Sequence, residues 1–111
     1  ASNELSIRLY TDSSNYIGVK STNTFSSGTL YNVSMTYDGS ETEAGLNLYI
    51  DGVSETSVSD SLGVYTGLTS TALNMLIGAQ DANSPVNLLK GDIDTFKIFN
   101  AELTAEEIAL L

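Results

Sequence analysis

LYNVSMTYDGSETEAGLNLYIDG, residues Leu30 to Gly52, is the stretch that decides the fold. On its first arm Val33, Met35 and Tyr37 alternate with Asn32, Ser34 and Thr36. On its second arm Leu46, Leu48 and Ile50 alternate with Asn47, Tyr49 and Asp51. Successive side chains of a strand point to opposite faces, so each arm carries an apolar row on one face and a polar or half-exposed row on the other. The segment between them, Asp38 to Gly45, is too long for a two-residue hairpin and rich in turn formers. Asp51-Gly52 closes the second arm with a strong short-range turn signal. The stretch is therefore strand, turn, strand.

The same period continues on either side. Leu5, Ile7 and Leu9 alternate with Ser6, Arg8 and Tyr10 in a first strand, Asp12-Ser13-Ser14-Asn15 turns, and Tyr16 to Lys20 forms a second strand with Ile17 and Val19 on one face. Beyond the central pair, Val53 to Ser59 is expected as an exposed or edge strand, Leu73 to Ile77 as a buried strand closed by Gly78, and Lys90 to Asn100 as the last strand. Thr104 to Leu111 is the one helix. Thr104 is a natural N-cap, Glu107 three residues on completes a capping box, and Leu103 with Ile108 makes a hydrophobic staple. Short strands separated by Gly, Asn, Asp and Ser turns indicate an all-β protein: an antiparallel two-sheet sandwich with a short C-terminal helix.

Composition narrows the function classes. The 111 residues suit one domain with one core. With 14 acidic and 4 basic residues the net charge is −10, the wrong sign for a nucleic-acid or anionic-membrane partner. No apolar run approaches the length of a membrane span. The absence of cysteine and histidine removes disulfides, thiolate sites, the usual zinc ligands and the commonest general base.

Three segments together resemble the laminin G-like branch of the concanavalin A-like lectin/glucanase superfamily, the jelly-roll group that includes pentraxins. Val33-Ser34-Met35-Thr36-Tyr37-Asp38-Gly39-Ser40 is similar to its "hVavTYDGs" strand and turn, and Leu48-Tyr49-Ile50-Asp51-Gly52-Val53 to its "lYvDGv" strand. Gly91 to Ile108 is similar to its "GxIDevriynraLsaeEI" ending, with Leu76-Ile77-Gly78 at the place of its "l.iG" strand. The likeness covers about residues 29 to 111. Leu30-Tyr31 stands where the family commonly has a Trp, and only Ala1 to Gly28 precedes the matching region, so the resemblance implies a minimal jelly roll or the C-terminal portion of one.

The resemblance implies a noncatalytic recognition or adhesion module, glycan-directed and calcium-assisted, at an extracellular or virion surface. The alternative is a structural virion domain, a bacteriophage capsid decoration or fibre, acting through packing in a homo-oligomer or with other chains. Glycoside hydrolysis is the third expectation; it needs a pair of carboxylates, and Asp92-Ile93-Asp94 is the nearest arrangement to the paired acidic residues of glucanase relatives. Sugars are held by aromatic faces with carboxylate and amide hydrogen bonds. Alternation places Tyr10, Tyr16, Tyr31, Tyr49 and Tyr65 outward or in loops, with Tyr37 on the apolar row. The loops holding Tyr65 and Asp81 to Asn83 are the expected ligand site, with Tyr65, Asp81 and Asn83 its named residues. Asp92 and Asp94 flank Ile93, can project from one face, and are the expected calcium ligands.

Overall fold

A computed structural model describes residues 3–70, 75–80 and 87–111. The alternating segments form two antiparallel sheets of three strands each. In the first, β1 (Ser6–Asp12) and β2 (Asn15–Ser21) make a hairpin, and β6 (Ser57–Ser59) pairs with the other edge of β2. In the second, β3 (Val33–Tyr37), β4 (Leu46–Ile50) and β5 (Val53–Ser54) lie in chain order. The helix α1 (Ala105–Ala109) follows near the C-terminus.

The central strands β2 and β4 supply most of the core, because each is flanked on both edges; Ile108 of α1 and Thr36 of β3 are buried as well. Ile17, Val19 and Leu46 form the shared cluster, with Ile7, Leu9, Tyr37 and Tyr65 packed against it. Leu48 is the most buried large residue, at 2% exposure. Burying a side chain of this size is worth about 1.5–3 kcal/mol. The register places Met35 opposite Leu48 and Tyr37 opposite Leu46, as the alternation of the two arms requires.

The turns follow their sequence signals. Asp51 and Gly52 both have positive φ, 51° and 79°, the combination that lets a two-residue turn match the twist of β4 and β5. The Asp51 carboxylate also accepts the Asn32 N–H at 2.9 Å. Between β3 and β4, Glu43–Gly45 forms one 3-10 turn. At the helix, Thr104 Oγ1 accepts from the Glu107 N–H at 3.2 Å and the Glu107 carboxylate accepts from the Thr104 N–H at 2.8 Å, the capping box expected from the sequence. Ile108 is the buried residue of that helix.

Four expectations are corrected. Lys90 to Asn100 is not a strand: its residues are exposed and outside the sheets. A ladder needs a neighbour about 4.8 Å away, and a groove of about 850 Å³ lies between β3 and residues 95–103. Of Leu73 to Ile77, residues 73 and 74 lie outside the described residues, and 75–77 are exposed and form no strand. Val53 to Ser59 is not one edge strand but two short ones, divided at Glu55-Thr56 between the two sheets. Tyr49, expected outward, is buried, whereas Val33 and Met35 of the apolar row are 48% and 46% exposed. β3 is the edge of its sheet, so its apolar row is covered on one side only, while β4 at the centre is covered on both faces.

Candidate functional site

The outer face of the first sheet carries the richest cluster of recognition chemistry. Ser6, Arg8 and Tyr10 project from it on β1, since Ile7 and Leu9 between them turn to the core. The register sets Tyr16 opposite Tyr10, Gly18 opposite Arg8 and Lys20 opposite Ser6. On the far side of β2, Asp60 follows β6 and its N–H donates to the Gly18 carbonyl at 2.8 Å.

Gly18 makes the face possible. A Cβ at this position would stand 2.6 Å from the Ile7 carbonyl oxygen, 2.7 Å from that of Asp60 and 2.9 Å from Arg8 Cγ. With no side chain on the middle strand, Arg8 and Asp60 meet across it. Arg8 Nε donates to Asp60 Oδ2 at 2.9 Å and Nη2 to Oδ1 at 3.1 Å, a two-pronged pair. Ser6 Oγ donates to Oδ2 at 2.5 Å. Arg8 first, and then Ser6, hold the Asp60 carboxyl below its usual range against the opposing effect of burial, and the same bond to Asp60 raises the guanidinium further from deprotonation. The guanidinium lies 5.0 Å from the centre of the Tyr16 ring. Tyr10 and Tyr16 pack with ring centres 4.8 Å apart, and Tyr10 remains 42% exposed.

Opposite this floor stand Leu76, Ala79, Gln80 and Asn87, so the face is one wall of an open cleft. The Asn87 side-chain amide donates to Gln80 Oε1, which ties the two ends of segment 81–86 together. The cleft thus combines the Tyr10 ring, a guanidinium fixed by Asp60, a serine hydroxyl and two carboxamides, with Tyr16 and Asp60 as supports of its floor.

Of the residues expected to act, Tyr65 is half-buried and packs against the core cluster rather than lining this cleft. Burial, and then the Tyr37 hydroxyl beside it, raises its phenol above the usual range. Asp81 and Asn83 lie outside the described residues, in the segment whose ends, Gln80 and Asn87, line the cleft. Asp92 and Asp94 are exposed. Among the described residues no three acidic side chains converge on one point, so this pair by itself does not supply the six to eight oxygens calcium takes. Alternation along the sequence places Tyr10 and Tyr16 outward but does not single out Arg8, Asp60, Gln80 or Asn87. A glycine in the middle of an otherwise bulky strand, at Gly18, is the signal that points to Arg8 and Asp60.

A family model for the concanavalin A-like lectin/glucanases superfamily matches residues 1–109. The chain belongs to this superfamily. The match takes in β1 and β2, so the cleft floor lies within the superfamily domain. The two-sheet antiparallel sandwich with its short helix is the jelly-roll-like architecture expected of a laminin G-like member. No curated protein and no solved structure matches the chain. The superfamily's description spans lectins and glucanases alike, so membership leaves the choice between binding and hydrolysis to the site. Among the described residues no helix is long and apolar enough to cross a membrane.

Proposed function

We propose that the chain is a noncatalytic carbohydrate-recognition module of an extracellular or virion surface, and that the cleft over β1 and β2 is its binding site. The observation that carries the reading is that Ser6, Arg8 and Tyr10 share one cleft with Gln80 and Asn87, Tyr10 packed on Tyr16 and Arg8 held by Asp60. Pyranose rings offer an apolar face and a rim of hydroxyls that both donate and accept. Aromatic faces take the first, and paired donors and acceptors take the second. Binding rather than turnover is favoured by the lining of the cleft. Glycoside hydrolysis needs two carboxyl groups flanking the scissile bond, and none of the described residues that line the cleft is acidic.

A glycan array tests the proposal. The chain is expected to bind a subset of oligosaccharides, and Tyr10→Ala to weaken that binding by about tenfold, the scale on which one exposed ring stacked on a sugar contributes. No reducing ends should be released from the bound sugars. The calcium expectation enters as a second arm: loss of binding in EDTA would direct mutation to Asp92 and Asp94. Binding unchanged by Tyr10→Ala, with the fold intact by circular dichroism, would displace the site from this cleft.

A specific observation favours a second reading, a structural virion domain that works by packing. Phe96, Ile98, Phe99 and Leu110 are exposed, the first three beside the groove along β3, and large apolar exposure marks interaction surfaces. Under this reading the chain is an oligomer by light scattering at micromolar concentration and binds no glycan.

A further inference from the structure

The outer face of the first sheet holds two cations among the described residues, and both are already paired. Arg8 is bound by both oxygens of Asp60, and Lys20 Nζ lies 3.4 Å from Glu4 Oε2. Neither pair is open at both ends: the Asp60 side chain is only 18% exposed and that of Glu4 28%. Around all of this the chain bears a net charge of −10. A carboxylate or sulfate on a sugar gains most from a guanidinium whose charge is not already offset. Here Asp60 takes the Nε and Nη2 prongs, so an anion reaching the remaining Nη1 side would stand near a half-buried carboxylate that already offsets the charge of Arg8, in a field already negative. A hydroxyl faces no such conflict, because it carries no charge and can accept from the Arg8 Nη1 side, which lines the cleft and makes only a long 3.5 Å contact with the Tyr10 hydroxyl.

We infer that the cleft selects uncharged oligosaccharides and discriminates against those carrying carboxylate or sulfate groups. The inference rests on the recognition reading above and names its substrate class. Asp60 is then the specificity-determining residue: it cancels the charge of Arg8 and fixes the guanidinium plane while leaving hydrogen-bonding capacity for hydroxyls.

The experiment uses arrays carrying neutral hexose tetrasaccharides beside their uronate and 6-sulfate counterparts, probed with the full chain and with Asp60→Asn at low and high salt. Neutral members should bind roughly tenfold or more tightly than their charged counterparts in low salt. The gap should narrow in high salt, because the repulsive part is screened. It should narrow further in Asp60→Asn, which releases the charge of Arg8 while keeping a side chain of the same shape. Equal or tighter binding of the charged members by the wild-type chain overturns the inference and leaves the recognition reading standing. Absence of binding to every member, from folded protein, overturns the recognition reading itself. Should Asp60→Asn fail to fold, the wild-type comparison and its salt dependence decide the matter alone.

Discussion

Gly18 and Thr36 show how single residues set what a sheet face can do. At Gly18 the nearest neighbours of a Cβ are two backbone carbonyls on adjacent strands, and neither can swing aside as a side chain end would. Gly18→Ala is therefore expected to cost about 1–3 kcal/mol, the range for overpacking, read as a lowered thermal midpoint. It should also prise Arg8 from Asp60 and loosen the cleft floor. Thr36 presents the opposite case. It is 6% exposed, and its hydroxyl has no hydrogen-bond partner. A buried hydroxyl left unpaired costs about 1–3 kcal/mol, so Thr36→Val, which keeps the branched shape, should raise the thermal midpoint. An unchanged or lower midpoint would show the hydroxyl to be satisfied. Neither property is legible from Gly18 or Thr36 alone. Burial of a polar strand residue depends on what lies over it, and the clash at Gly18 depends on strands 11 and 42 residues distant in sequence, at Ile7 and Asp60.

Among the elements, local signals are legible in the sequence and distant ones are not. The β3–β4 strand pair, the Asp51-Gly52 turn and the capping box of α1 all rest on residues close together in the chain, and all stand as the sequence indicates. Residues 90–100 have the alternation of a strand but stand across a groove from β3. A periodic pattern states which side chains agree to share a face; it does not state that a partner backbone comes within hydrogen-bonding distance. The contribution of Glu43 is equally hidden. From the turn between β3 and β4 it accepts from Ser59 Oγ at 2.6 Å and Ser61 Oγ at 2.5 Å, so it ties the second sheet's connection to the end of β6 in the first. Ser59, and then Ser61, lower its carboxyl from the usual range. A lowered folded value means that the unfolded chain binds the proton more readily. The stabilisation is then complete above the ordinary glutamate value of about 4.3 and is lost as pH falls through the lowered one. Urea unfolding followed down from about pH 6 should show this loss, and Glu43→Gln should flatten that acid limb. An acid limb of the same slope in the variant would remove Glu43 as a source.

At the scale of the whole molecule, the net charge sets the expectation against a nucleic-acid partner and the period of the strands announces a sandwich, both properties summed over many residues and therefore robust to local error. The cleft is out of reach by the same logic, because it is lined by β1 and by Leu76, Ala79, Gln80 and Asn87, and its Arg8 is fixed by Asp60 beyond β6. Of the residues that line or support it, Tyr10 and Tyr16 are the ones the sequence places outward, since their positions follow from alternation within one hairpin. The two sheets are also joined in a way that apolar packing would not suggest. Glu55 N–H donates to the Leu48 carbonyl in the second sheet at 2.8 Å, and the very next residue, Thr56, accepts at its carbonyl from Thr22 N–H, just past β2, at 3.0 Å. Neighbouring peptide groups are thus clamped into opposite layers. A tensile load that enters through β1 and leaves through the helix beyond β5 cannot be shared out by sliding one layer over the other. Part of it falls on this junction and part on the Glu43 bonds to Ser59 and Ser61, which makes Glu55-Thr56 one of the mechanical ties of a domain proposed to hold on to a surface.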